Sequence, residues 1–431
     1  MYEFQKRLSN SFYALVSLPA TAMGFALSVQ ISALSWLLTT QYHLDIHQVG
    51  IVWAAGPLAG IVGQVVIGLI SDRVWFWGGR RRPFIIIGGA LAAAMLMALP
   101  NIHVIDGWLG VGNLLIVAIA VALTLDLAIN ISFNPTRSII ADVTPEGDAR
   151  TKGYTWMQTI SGFFGVLAYV IGAVAGNFVL ISFGVVLVLL FSIIPVLFIT
   201  ESRVLGAVQA AGAKAEAAAA PRATQWGQLL RLFGAHAFSW IGAQTMFVYI
   251  IAFIQQKMPL PADPGLAAGE SGQIIAISFA ILNTVGFLLP APVLEPLAHR
   301  FGRVIVHTVA VGIMAAGYFG LVTAGTTPMM VYILMAVVGV GWASMVSLPF
   351  AIMSEKVAPG RMGFFMGMFN LSVVLPQLFV SLFLGSVIQD AADKTIIFVI
   401  SGVALAASTL VWTFVRDNPR TMPRAVQGGG H

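Results

Sequence analysis

The chain has 431 residues, 58% hydrophobic and 9% charged, with a mean hydropathy of +0.90 and a net charge of +5. A water-soluble domain carries about 25% charged residues, so this composition excludes one and predicts a polytopic membrane protein, long enough for about a dozen spans of ~20 residues. The absence of cysteine excludes a disulfide framework and a thiolate metal site, and the modest positive charge reflects membrane topology rather than nucleic-acid binding.

No cleavable signal peptide is expected. Lys6 and Arg7 precede a long apolar stretch without a small-residue cleavage site, and further spans follow at once. Apolar runs fall near 12–40, 48–71, 83–100, 111–136, 154–176 and 178–200, and a second set near 229–256, 271–297, 303–325, 328–354, 361–388 and 394–415. The expected fold class is an all-α membrane protein with twelve transmembrane helices. Residues 1–200 form an N-terminal six-helix bundle and 229–431 a C-terminal one. Between them lies a cytoplasmic linker, 201–228, with the Ala-rich run AGAKAEAAAAPRA.

The basic residues set the orientation. With the N-terminus inside, Lys6, Arg7, Arg73, Arg80, Arg81, Arg82, Arg150, Lys152, Arg203, Lys214, Lys356 and the later arginines share one side, whereas the other side receives only Lys257 and Lys394. Positively charged loops stay cytoplasmic, so both termini are expected there, in a plasma membrane of the bacterial inner-membrane type. The halves are weakly similar. Ser71-Asp72-Arg73 ends the second span and Ala298-His299-Arg300 the eighth, while Pro135 and Pro145 repeat the ten-residue interval of Pro349 and Pro359. Parallel six-helix repeats predict two bundles with a binding site between them near the midplane.

The stretch 126–143, DLAINISFNPTRSIIADV, stands out. Asp126 is the only carboxylate buried within a span, and Asn130, Asn134 and Arg137 follow at i+4, i+8 and i+11, nearly on one helical face. A charge near the bilayer centre costs about 2.5–3.5 kcal/mol on insertion scales. Asp126 is therefore either a proton or substrate site or a buried tie between two helices. The loop after the second span reads Gly68-Leu-Ile-Ser-Asp72-Arg73, then Gly79-Arg80-Arg81-Arg82-Pro83. It sets topology, and its Asp and Arg residues are also suited to an ion-pair latch between helix ends.

That Gly–Asp–Arg–Gly–Arg spacing resembles the loop 2–3 signature of the major facilitator superfamily. Three stretches narrow the resemblance: GRRRPFI at 79–85, DLAINISFNPTR at 126–137, and GWASMVSLPFAI at 341–352 with NLSVVLPQLFVS at 370–381. They are similar to segments of plant sucrose/proton symporters and of related bacterial and animal transporters of the glycoside–pentoside–hexuronide type. The resemblance implies twelve helices, alternating access and proton-coupled uptake of a disaccharide or glucoside. It also implies that Asp126 and Arg137, which match family positions, are needed for transport, and that Gln30 matches a family glutamine in span one. The chain departs from the plant pattern in the apolar loop Val74-Trp75-Phe76-Trp77. It departs again in the second-half latch, which carries His299 where an Asp would stand.

Eleven residues at 1.5 Å rise separate Asp126 from Arg137 by about 16 Å, so they are expected to act separately unless the helix breaks at Pro135. A carboxylate taken out of water loses the solvation that favours its charge, which suits Asp126 to proton exchange. Arg137 is expected to close a cytoplasmic gate with Asp142 or Asp72, to contact substrate, or to serve as a static helix-end pair. A sugar needs hydrogen-bonding side chains and aromatic faces. Candidates are Gln30, Asp126, Asn130, Asn134, Arg137, Gln158, Trp240, Gln244, Trp342, Ser347, Asn370 and Gln377, several of which serve equally as interhelical contacts. The expected cytoplasmic gate comprises Gly68, Asp72, Arg73, Gly79, Arg80, Arg81, Arg137 and Asp142. His236 and His307 are read as interfacial.

No phosphate loop, H-E-x-x-H or G-x-S-x-G motif occurs, so neither an enzyme nor an ATP-driven carrier is expected, and no metal. The proton is the coupling ion and no other cofactor is foreseen. The expected partners are a small sugar and the lipid bilayer, not nucleic acid, and the expected state is a monomer. The alternatives are an exporter or carrier of a non-sugar metabolite on the same fold, and a membrane-embedded sensor or enzyme.

Overall fold

The computed structural model describes residues 3–60, 70, 74–144, 148–201, 224–357 and 362–417. Its principal helices are α1 (Asn10–Thr40), α2 (Ile46–Trp53), α3 (Arg82–Ala98), α4 (Leu114–Val143), α5 (Asp148–Ala175), α6 (Asn177–Leu197), α7 (Trp226–Lys257), α8 (Pro264–Leu288), α9 (Arg303–Ala324), α10 (Pro328–Ser354), α11 (Met362–Phe379) and α12 (Ile396–Trp412). Among the described residues, ten segments are long and apolar enough to cross a membrane, and α12 is a shorter apolar helix. The expected second span is helical at Ile46–Trp53 and 55–60, and the remainder, with Gly68, Asp72 and Arg73, lies largely outside the described residues. So does most of the expected linker.

Hydrocarbon offers no hydrogen bonds, so a spanning backbone must pair with itself, and helices do this within one segment. Their ends are closed by side chains. Ser9 accepts from Phe12 N at the start of α1, and Asn113 Oδ1 accepts from Leu115 N and Ile116 N at the start of α4. Asp45 and Gln48 form a reciprocal capping box on α2. Helix α4 runs through Pro135 without a break, so the separation between Asp126 and Arg137 stands. Small residues let helices approach. A Cβ on Gly88 of α3 would stand 2.7 Å from Ala128 O of α4, two residues after Asp126.

The described residues form two compact units. The first draws on Met1–Lys214, Val248–Ala280 and Val380–Ala391; the second on Ala215–Phe247, Ile281–Phe379 and Ala392–His431. The C-terminal end of α7, the N-terminal part of α8 and the stretch after α11 therefore pack in the first unit. There Ser35 Oγ donates to Val248 O (2.9 Å), Trp53 Nε1 donates to Ser35 Oγ (2.8 Å), and Trp36 Nε1 donates to Ala268 O (2.6 Å). Tyr249 OH donates to Val380 O (3.1 Å), in a π-helical turn at Val380–Leu384. In the second unit, Leu229, Leu232 and Phe233 of α7 share a core with Ile352, Phe365 and Trp412.

Candidate functional site

In the first unit the site is built on α1 and α4. Asp126 is 6% exposed and its Oδ2 accepts a hydrogen bond from Gln30 Nε2 at 3.0 Å. Gly56 faces the same carboxylate, where a Cβ would stand 3.3 Å from Oδ2. No basic group among the described residues forms an ion pair with Asp126. The one neutral donor found among the described residues ties α1 to α4, as the helix-tie reading expects, and it also leaves the carboxylate without a counter-ion among them. Burial with few compensating partners disfavours the charged form of a carboxylate.

The polar stripe beyond Asp126 is less concerted than its spacing suggested. Asn130 Nδ2 donates to Asp126 O within the same helix (2.7 Å), and Asn134 is half-buried. Arg137 is exposed, with its guanidinium over the Phe133 ring at 4.0 Å, and its carbonyl accepts from Tyr154 OH at 3.2 Å. The expected pairing with Asp142 is not formed. Asp142 instead accepts from Arg81 Nε (3.1 Å) and lies 3.5 Å from Arg80 Nη2.

The reason is the loop before α3. Phe76 and Gly79 exchange backbone hydrogen bonds across Trp77 and Gly78, both at positive φ, and this tight turn delivers Arg80 and Arg81 to Asp142. Glu201, which the sequence reading did not single out, completes the arrangement. Its buried carboxylate accepts the backbone N–H groups of Arg80 (2.9 Å), Arg81 (2.8 Å) and Arg82 (2.8 Å), capping α3. Acceptors at a helix N-terminus satisfy orphan donors and oppose the macrodipole. Gly79 packs directly against that carboxylate, leaving no room for a Cβ.

The second unit has a helix-start acceptor and an arginine–carboxylate pair of its own, built without the His299 position that departs from the plant pattern. Asp417 accepts from Val304 N (3.1 Å) at the start of α9, and Arg303 pairs with Glu355. His299 lies outside this arrangement, exposed and 3.8 Å from Glu295. Beside it, burial pulls the Lys356 ammonium below its ordinary pKa while the Asp417 and Glu355 carboxylates hold it up. Its Nζ donates to Arg416 O.

The second unit also gathers an aromatic and amide cluster. Trp342 of α10 meets Trp240 (6.0 Å, 79°) and Phe247 (5.2 Å, 70°) edge to face, and its Nε1 donates to Asn283 Oδ1 of α8 at 3.3 Å. Gln377 Nε2 donates to Gln244 Oε1 at 3.3 Å. Asn283 and Phe247 were not foreseen; an Asn mid-span at 283 was the available signal. Asn370 is half-buried on α11 and Gln158 exposed on α5. Ser347 donates to Ala343 O and lines a separate cavity of about 480 Å³ with Glu295, His299 and Arg303.

His236 and His307 lie toward the N-terminal ends of α7 and α9 and are buried among side chains there. His236 accepts from Trp240 Nε1 (3.0 Å) and stacks on Phe369, and His307 Nδ1 bonds Ser344 Oγ (2.7 Å). Helix α7 starts at Trp226, three residues before its apolar run, and neutral partners let the imidazoles sit in the core. Among the described residues no group of three His, Asp or Glu side chains converges as a metal site.

A family model described as the Major Facilitator Superfamily matches residues 16–381. The sucrose transport protein SUT2 of Oryza sativa subsp. indica is 25% identical over 391 residues, covering 77% of this chain and 78% of that protein. The general alpha-glucoside permease of Schizosaccharomyces pombe is 28% identical over 172 residues, 38% of this chain and 31% of that protein. A crystal structure of the nucleoside transporter NupG superposes with a TM-score of 0.71 at 12% identity, covering 94% of this chain and 99% of that one. At that identity the likeness concerns the fold alone.

Proposed function

We propose that this chain, which belongs to the Major Facilitator Superfamily, is a sugar transporter that couples entry of a proton to uptake of a disaccharide or glucoside of the sucrose or maltose kind. The observation that supports the coupling is Asp126, enclosed in the first unit with the Gln30 amide as its carboxylate's one hydrogen-bond partner among the described residues. The relatives named for sucrose and alpha-glucoside transport support the substrate class. So does the Trp342–Trp240 cluster, since indole faces cover the apolar side of a pyranose while Asn and Gln side chains bond its hydroxyls.

In this reading, Asp126 takes a proton when its cavity opens outward and becomes a neutral carboxylic acid. It then crosses the access change without a buried charge and releases the proton inside. Gln30 orients the carboxyl and stabilises its ionised form by donating to it. Sugar binding uses Trp342, Trp240, Gln244 and Gln377, held by Asn283. Arg80 and Arg81 on Asp142, with Glu201 beneath them, latch the cytoplasmic end. The basic loops support cytoplasmic termini. The chain works as a monomer in a plasma membrane, with the proton as its only co-transported species.

The test is uptake of sucrose and maltose into proteoliposomes under an imposed pH gradient, comparing wild type with Asp126→Asn. Gradient-driven accumulation that the variant loses supports the reading. If neither sugar moves in a folded preparation, the substrate is another metabolite; if uptake ignores the gradient, the coupling claim fails.

A further inference from the structure

The turn before α3 leaves one cation without a counter-ion. Arg80 and Arg81 share Asp142, and Glu201 takes the backbone N–H groups at the start of α3. Arg82 joins that arrangement only through its backbone. Among the described residues no carboxylate pairs with its guanidinium. The side chain is half-buried and folds back over the turn, where a Cβ on Gly78 would stand 3.7 Å from Nη1. Gln5 and Thr200 exchange hydrogen bonds of 2.9 and 3.1 Å, which brings the exposed Lys6 and Arg7 to the same end of the bundle as Glu201. Basic residues there outnumber the carboxylates placed among them, Asp142 and Glu201.

The same turn exposes apolar surface. Trp77 is 62% exposed and held at a φ of +49°, which bulky residues seldom adopt. Its ring meets Phe76 at 5.5 Å, and Phe76 meets Phe84 of α3 at 5.8 Å. Further along α3, Ile87, Ala94 and Met97 are exposed on a helix apolar enough to cross a membrane. That face meets acyl chains. The depth of the turn follows from helix geometry. Gly88 packs on Ala128, two residues past Asp126, and Arg82 lies six residues before Gly88. At 1.5 Å per residue the Arg82 backbone lies about 12 Å from the level of Asp126, and its side chain reaches further out. Half of a hydrocarbon core is about 15 Å, so with Asp126 near the midplane the guanidinium and the Trp77 indole stand at headgroup level.

We propose that Arg82 and Trp77 form a site for an anionic phospholipid of the phosphatidylglycerol kind in the cytoplasmic leaflet. The phosphodiester supplies the counter-charge that the protein does not, and a guanidinium bonds two phosphate oxygens at once. Indole rings favour the headgroup layer, and basic residues at the cytoplasmic surface attract anionic lipids over zwitterionic ones. The acyl chains run along the exposed face of α3. A lipid held there braces the turn that presents Arg80 and Arg81 to Asp142. The site is independent of the transported solute.

The test is thermal unfolding of the full chain in detergent with added phosphatidylglycerol, phosphatidylcholine or soluble glycerol phosphate, the rise in midpoint reporting apparent affinity. Wild type is expected to bind phosphatidylglycerol in preference to phosphatidylcholine and to ignore glycerol phosphate. Arg82→Gln lowers the apparent affinity for phosphatidylglycerol about tenfold and leaves the lipid-free midpoint unchanged, since the side chain has no ion pair to lose. Arg82→Lys, which keeps the charge, falls between the two. Trp77→Ala weakens both lipids alike, and Arg300→Gln, an exposed cation of the second unit, changes neither. The proposal is overturned if wild type shows no preference for phosphatidylglycerol, if Arg82→Gln keeps that preference, or if Arg300→Gln loses it equally. It is also overturned if glycerol phosphate stabilises as well as the lipid, which assigns the site to a free phosphate.

Discussion

The side-chain amide of Gln30 donates to Asp126 Oδ2 over 3.0 Å, tying α1 to α4 deep inside the first unit. A hydrogen bond to a charged group contributes about 1.5–3 kcal/mol, and here it is the ionised carboxylate that gains. Gln30→Leu therefore leaves a buried carboxylate with no donor among the described residues. It is expected to lower the thermal midpoint and to slow gradient-driven uptake, while Asp126→Asn abolishes gradient-driven uptake and spares sugar exchange in the absence of a gradient. Uptake and counterflow in the same proteoliposomes separate the two. If Asp126→Asn still accumulates sugar against its gradient, the proton is carried elsewhere.

Trp342 is held on three sides: by Trp240, by Phe247, and through its Nε1 by Asn283. Such restraint leaves little rotamer freedom to lose when a ligand stacks on the ring, which favours binding. Trp342→Ala is expected to raise KM for the sugar about tenfold, with a smaller change in kcat. Asn283→Ala, which frees the indole without removing it, is expected to have a milder effect on KM. Initial-rate uptake kinetics over a range of sugar concentrations decide this. Unchanged KM in Trp342→Ala assigns the tryptophan to packing.

The membrane class, most of the helix spans and the individual polar residues Asp126 and Gln30 were legible because hydrocarbon makes polar residues conspicuous, but that the two bond each other was not. A carboxylate and an amide inside apolar runs of bilayer length stand out by type alone. Glu201 was not legible. It sits where a span meets water, where an acid is unremarkable, and only the turn at Phe76–Gly79 shows which backbone groups it reaches. Helical spacing put Arg137 near the face of Asp126, yet spacing carries no information about a competing loop, and Arg80 and Arg81 occupy Asp142. The partners of the histidines were not legible either: span ends tolerate polar residues, and spacing does not show that Trp240 and Ser344 wait beside them.

Glu201 and Asp417 do the same job in the two units to different degrees. Glu201 accepts three backbone N–H groups from consecutive residues, whereas Asp417 accepts one. Loss of a capping side chain costs about 0.5–2 kcal/mol, and each extra orphaned donor adds to it. Glu201→Ala is therefore expected to lower the thermal midpoint more than Asp417→Ala, and Glu201→Gln to fall between Glu201→Ala and wild type. Thermal unfolding of the four proteins in one detergent provides the comparison. Equal losses in Glu201→Ala and Asp417→Ala contradict the assignment of three bonds to Glu201.

Tyr249 bears on how the first unit changes shape. Its hydroxyl donates to Val380 O in the π-helical turn, and Gly50 packs so closely on that hydroxyl and on Ser381 O that no larger residue fits. The ends of α7 and α8 and the segment after α11 thus share one packed junction with α1 and α2. Alternating access requires such a junction to part in the opposite state. Tyr249→Phe removes one hydrogen bond with a net value of about 0.5–1.5 kcal/mol, enough to shift a two-state equilibrium between roughly twofold and tenfold. The cysteine-free chain provides a clean background for detection. Ala268→Cys places a thiol beside Trp36, and its labelling by a membrane-impermeant maleimide is expected to quicken by that factor when Tyr249→Phe is added. An unchanged labelling rate shows that this hydroxyl does not hold the junction closed.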